Sequence, residues 1–112
     1  MYPDDSSRLR HMRDAAREAL AFAEGKQRTD LDNDRQLALA ILKCIEIVGE
    51  ASIVVSAETI AHYPKIPWRQ IRGMRNRLVH GYYEVDLDVV WETVTHNLGP
   101  LVAALERIVP NN

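Results

Sequence analysis

Apolar residues recur along this chain at three- and four-residue intervals, the spacing that lays a stripe along one face of an α-helix. In the first such run, from about Asp5 to Glu24, Leu9, Met12, Ala16, Ala19 and Ala23 share a face. Ser6 or Ser7 stands where a cap is expected, and Gly25 supplies the stop. A second run starts near Thr29 or Asp30 and continues to about Ala57. Its middle, with Leu37, Leu39, Ile41, Leu42, Ile45, Ile47 and Val48, is apolar almost all round and leaves Lys43, Glu46 and Glu50 as a narrow polar stripe. Such a helix must be covered on every side. Three neighbours in so short a chain can hardly do that, so the pattern predicts a homodimer. The third run, Pro67 to Val79, follows the breaks at Pro64 and Pro67, the latter suited to a first helical position. A fourth, from about Asp86 to Ile108, turns Leu87, Val90, Trp91, Val94, Leu98, Leu101, Val102 and Leu105 inward, and a kink or restart is expected at Gly99-Pro100. Ile53-Val54-Val55 could mimic a strand, but length and periodicity favour helix. The expected fold is all-α, an antiparallel four-helix bundle forming one domain over residues 1–112.

Composition refines that picture in three ways. No apolar run approaches the ~20 residues needed to cross a bilayer, and the start, Met-Tyr-Pro-Asp-Asp, lacks the basic and apolar regions of a signal peptide, so a cytoplasmic protein with no membrane partner is expected. The one cysteine, Cys44, has no internal disulfide partner and falls in an apolar segment, which suggests a core position. A net charge of -2 argues mildly against a nucleic-acid partner, yet the local distribution reverses the impression. Between Glu58 and Glu84 there is no acid, while Lys65, Arg69, Arg72, Arg75 and Arg77 all lie there. Arg69, Arg72 and Arg77 are either a solvated basic face or a rim that steers phosphates.

The candidate chemistry sits in Arg75-Asn76-Arg77-Leu78-Val79-His80-Gly81-Tyr82-Tyr83. With Ile71 at the centre of the third helix's apolar face, Arg75 falls about 40° away, inside the stripe, whereas Arg69, Arg72 and Arg77 fall outside it. A guanidinium there is costly unless it is paired or lines a wet pocket. His80 would lie about 140° from Arg75 on an uninterrupted helix. Gly81 suits the left-handed residue that ends a helix, which would put His80 at the exit, roughly 8 Å along the axis from Arg75. Glu50 is either the wet edge of the second helix or a partner that holds Arg75. His11, His62 and His96 lack partners at metal-ligand spacing, so no metal or other cofactor is expected.

An arginine, four residues, a histidine, one residue and a tyrosine, on the third helix of a small all-α domain, resembles the HEPN superfamily, specifically the HepT-type toxins encoded with minimal nucleotidyltransferase antitoxins. Ile45-Glu46-Ile47-Val48-Gly49-Glu50-Ala51, Ile66-Pro67-Trp68-Arg69-Gln70-Ile71 leading into Gly73-Met74-Arg75-Asn76, and Val85-Asp86-Leu87 carry the likeness further, over about Leu37 to Leu105. The resemblance implies a metal-independent endoribonuclease, homodimeric, with two copies of the motif over one RNA, either tRNA or mRNA. Arg75 and His80 match the catalytic pair, Asn76 the polar residue that follows the arginine, and Tyr82 the tyrosine to which the partner enzyme adds adenylyl groups. Tyr83 is a second phenol beside it and leaves two acceptors. The alternatives are a nucleotide-binding or regulatory HEPN domain without turnover, and an interaction bundle in which His80 merely caps a helix.

Overall fold

In the computed structural model the backbone is described for residues 3–80 and 84–110, and side chains for all of these except Pro3, Arg75, Val79 and His80. The described chain is built almost wholly from helices: α1 (Pro3–Ala23), α2 (Arg28–Asn33), α3 (Arg35–Ile53), α4 (Ala57–His62), α5 (Trp68–Leu78), α6 (Leu87–Glu92) and α7 (Leu98–Ile108). A two-residue antiparallel pair, β1 (Val79–His80) and β2 (Glu84–Val85), joins α5 to α6, and a π-helical turn, Thr93–Asn97, joins α6 to α7. The all-α bundle expected from the pattern is therefore what forms.

The core follows from the stripes. Leu9, Met12, Ala16 and Ala19 of α1 are buried against α3 and α7, whose Ile41, Ile45, Val48, Leu98 and Leu105 are fully enclosed. Ile71, Met74 and Leu78 close the core from α5. α5 lies antiparallel to α3, since its start approaches Gly49 and Ser52 late in α3, whereas Val85, beyond its end, lies with Leu39 and Leu42 early in α3. The approach is close at Gly49, where a Cβ would stand 3.3 Å from the Ile71 carbonyl oxygen.

Several boundaries differ from the sequence expectation, each for a local reason. Ser6 and Ser7 do not cap α1; they lie inside it and accept from Arg10, at 2.8 and 3.1 Å. Gly25 does end α1, with a φ of +74° that glycine adopts freely. The long second helix is broken at Asp34, whose carboxylate accepts from Leu37 N at 3.0 Å and so starts α3 afresh. α3 stops at Ile53, short of Ala57. There Ser56 caps a separate α4, with Asp5 of α1 accepting from Ser56 N at 3.0 Å, Ser56 Oγ at 2.5 Å and Thr59 Oγ1 at 2.7 Å. The irregularity expected at Gly99-Pro100 appears one turn earlier. Pro100 has no N–H to return to the carbonyl four residues back, at His96, and the chain widens to a π turn in which Leu98 N donates to Thr93 O.

Candidate active site

α5 begins where its sequence says it must. Pro64 and Pro67 end the preceding segment, Ile71 N donates to Pro67 O at 3.0 Å, and the Trp68 indole donates to Tyr63 O at 2.9 Å, fixing the entry of the helix. Arg75 and Asn76 follow in its last two turns. The helix then ends earlier than expected, at Leu78. Instead of continuing to a glycine stop, the backbone extends through Val79 and His80 and pairs with β2 in the register Val79 to Val85 and His80 to Glu84. Asp86 N donates to Leu78 O at 2.8 Å and closes the ladder at the helix end. Asp86 then caps α6 by accepting from Val89 N at 3.2 Å. His80 is thus carried on a strand tied to α6, not on a frayed helix terminus. The expected turn at Gly81, and both Tyr82 and Tyr83, lie outside the described residues.

The three arginines of the basic stretch whose side chains are described, Arg69, Arg72 and Arg77, separate. Arg69 and Arg77 are exposed, and among the described residues neither forms an ion pair. Asn76 is exposed beside them. Arg72, grouped with them in the sequence, has a different employment: its guanidinium donates to the carbonyls of Ser52 at 3.3 Å and of Ile53 and Val55 at 3.5 Å. These carbonyls are at the C-terminal end of α3, where a cation satisfies orphan acceptors and meets the negative end of the helix dipole. Arg72 therefore has a capping role on α3 that the sequence did not show. Outside the apolar stripe there was no signal that a carbonyl cluster from another helix would be within its reach.

Glu50 is exposed on α3, as a wet helix edge should be, while Glu46, one turn earlier, is half-buried. Since α3 and α5 are antiparallel and Gly49 meets Ile71, the level of position 75 on α5 corresponds to α3 residues before Gly49 rather than after it. For the alternative reading, a Glu50–Arg75 pair, the Arg75 half lies outside the described side chains. Sequence reasoning missed Glu84, which the strand register sets opposite His80. The signal was too short to read, because two residues make no visible alternation. Cys44 is buried in the core as expected, and burial pushes its thiol up. Among the described residues no three His, Cys, Asp or Glu side chains group as metal ligands, and no helix is long and apolar enough to cross a membrane.

A helical bundle with an arginine on its third long helix and a histidine five residues on, at the helix exit, defines a HEPN-type domain. The profile of the ribonuclease HepT-like family matches residues 12–108. Among relatives, a Methanocaldococcus jannaschii protein named as an RNase is 30% identical over 88 residues, 79% of this chain and 73% of its own length. A second RNase-named protein of that organism is 30% identical over 88 residues, 79% of this chain and 76% of its own length. A Thermococcus cleftensis protein that bears the name ribonuclease HepT is 35% identical over 75 residues, 67% of this chain and 68% of its own length. No solved structure matches. The chain belongs to the HepT-like ribonuclease family.

Proposed function

We propose that this HepT-like ribonuclease is a metal-independent endoribonuclease of a toxin-antitoxin pair, acting in the cytoplasm as a homodimer whose one-domain protomers place two motifs over one RNA. The observation that supports the reading is the α5-to-β1 junction. Arg75 lies on the helix and His80 on a strand locked to α6, so the two positions are held by backbone and not by a flexible terminus. RNA brings its own nucleophile. Attack by a 2′-hydroxyl on the adjacent phosphorus needs a base for the hydroxyl proton, an acid for the leaving 5′-oxygen, and positive charge on the phosphoryl oxygens. Imidazole serves both proton roles near neutrality. His80 of one protomer takes the hydroxyl proton, its twin protonates the leaving oxygen, and Arg75 grips the phosphate through paired hydrogen bonds. Arg69, Asn76 and Arg77 carry neighbouring phosphates. Glu84, in register with His80, is a carboxylate available to favour the imidazolium.

Control falls to a cognate nucleotidyltransferase that adenylylates Tyr82. An added phosphate two residues from His80 competes for Arg75 and blocks RNA entry. The test is cleavage of RNA in excess chelator, with products ending in 2′,3′-cyclic phosphate or 3′-phosphate. His80→Ala and Arg75→Ala should each lose about 10²–10⁴-fold while remaining folded. Full cleavage by folded His80→Ala, or activity that returns only with magnesium, overturns the mechanism. Tyr82→Phe should stay active in the presence of the partner and ATP; if it is silenced, Tyr83 or another site is the acceptor.

A further inference from the structure

On a different face of α5 from position 75, a cavity of about 220 Å³ opens between that helix and the π turn with the start of α7. Its floor is apolar and buried: Ile71, Met74, Leu98 and Leu101. Its mouth is polar and exposed: Lys65, Gln70, Arg77, His96 and Asn97. Among the described residues that line it, none is an acid. Gln70, Met74 and Arg77 stand at i, i+4 and i+7, one stripe of α5, and Arg77 is about 160° round the helix from position 75. The opposite wall, His96 and Asn97, belongs to the π turn, a distortion that often marks functional sites.

We propose that this cavity is a nucleotide subsite, taking one base of the RNA while Lys65 and Arg77 hold that nucleotide's phosphate. The choice of RNA rests on the ribonuclease reading; the chemistry of the lining rests on the cavity itself. Two permanent cations with no acid select an anion. A floor of branched aliphatics and a thioether selects a flat apolar body, with the Met74 sulfur suited to a ring. Two side-chain amides at the rim, each both donor and acceptor, suit the polar edge of a base. An acyl anion would make no use of either amide. The volume lies below the ~300–1,000 Å³ of sites for drug-sized ligands, so one base fits and a second does not. A strand leaving the cavity crosses the exposed face of α5 with Arg69, Gly73 and Asn76, where an added Cβ on Gly73 would meet nothing within 4 Å. A base held there sets the strand's register over Arg75 and His80, and so which linkage is cut.

The experiment uses full-length isotope-labelled chain carrying His80→Ala, so that binding is read without turnover. It is titrated with AMP, GMP, CMP and UMP, and with inorganic phosphate, while the side-chain amide signals of Gln70 and Asn97 are followed by NMR. At least one nucleotide should move both signals with a Kd about tenfold or more below that of phosphate. Gln70→Ala and Asn97→Ala, both at exposed positions, should each weaken it about three- to tenfold, and Ala104→Trp should fill the cavity and abolish it. Signals unmoved by all four nucleotides overturn the proposal. So does equal binding of phosphate alone, which would mean an anion patch without a base site. A response only to the cognate nucleotidyltransferase overturns it too, as a protein-docking face. Nucleotide binding here by a chain whose native form cuts no RNA would sink the ribonuclease reading and leave the subsite standing.

Discussion

Asp5 shows how a single carboxylate can join two distant segments. It is 3% exposed, and its bonds from Ser56 and Thr59 hold its carboxyl below the ordinary value near 3.8, outweighing the burial that pushes the other way. Because the folded value is the lower one, its contribution is fully present above the unfolded value of about 3.9 and is lost as pH falls through the folded value. Urea midpoints measured from pH 6 downward should therefore fall more steeply below about pH 4 in the native chain than in Asp5→Asn. At neutral pH that variant should be less stable by about 1–3 kcal/mol. Parallel curves would refute the assignment. Nothing in the sequence revealed this role, since Asp5 read as an ordinary helix start and its partners are 51 and 54 residues away. Arg72 teaches the same lesson from the other side. Arg72→Ala should lower stability by about 1 kcal/mol through the lost cap on α3. Arg77→Ala should leave the unfolding midpoint within about 0.5 kcal/mol and instead weaken RNA binding and flatten its salt dependence. If Arg72→Ala changes the salt slope and not the midpoint, the two residues have been misassigned.

At the scale of elements, the stripes were legible and the junctions were not. Leu9, Met12, Ala16 and Ala19 predicted the buried face of α1, and Leu98, Leu101, Val102 and Leu105 that of α7, because burial follows the 3.6-residue period directly. The break at Asp34 was hidden, since an aspartate inside an otherwise helical run becomes a cap only when its carboxylate turns back on the chain. The β1–β2 pair escaped because Val79-His80 and Glu84-Val85 are too short for alternation to show. Of the candidate site, the position of Arg75 on a helix and of His80 at its exit could be read; the strand register that sets Glu84 opposite His80 could not. Gly73 offers a direct check on α5. It is interior to the helix, and a Cβ there would meet nothing within 4 Å, so Gly73→Ala should stabilise the chain by about 0.5–1 kcal/mol. A lower melting temperature would show that the backbone at Gly73 is needed for something other than space.

For the whole molecule, most of the apolar surface of α3 finds cover within one chain, more than its composition suggested. Ile41, Leu42, Cys44, Ile45 and Val48 are all buried. What stays in solvent is narrower: Leu39 at 43%, Ile53 at the last position of the helix at 58% and, past the helix end, Val54 at 55%. Leu39 borders a groove with Leu42, Val85 and Leu87, beside the strands that carry His80. Self-association there would bring two strand pairs together. Light scattering should give about twice the 12.8 kDa chain mass, and Leu39→Asp should return it to one; a native monomer at tens of micromolar would exclude a composite site. The π turn also determines where the molecule can change length. Val90 and Leu98 are eight residues apart and both fully buried. In a regular helix they would diverge by about 80°, whereas seven residues would leave them about 20° apart. The rod therefore holds one surplus residue, and Thr93–Asn97 absorbs it. Remove Thr95, and both halves keep the faces they bury; remove Ala103 instead, and everything beyond turns by about 100°. Melting curves of the two deletions should differ accordingly, with the first close to the native chain. A deletion of Thr95 that unfolds the protein would show that the surplus residue is structural. Otherwise the shorter rod folds and what changes is the wall formed by His96 and Asn97, so that this residue is a spacer the core can lose and the cavity cannot.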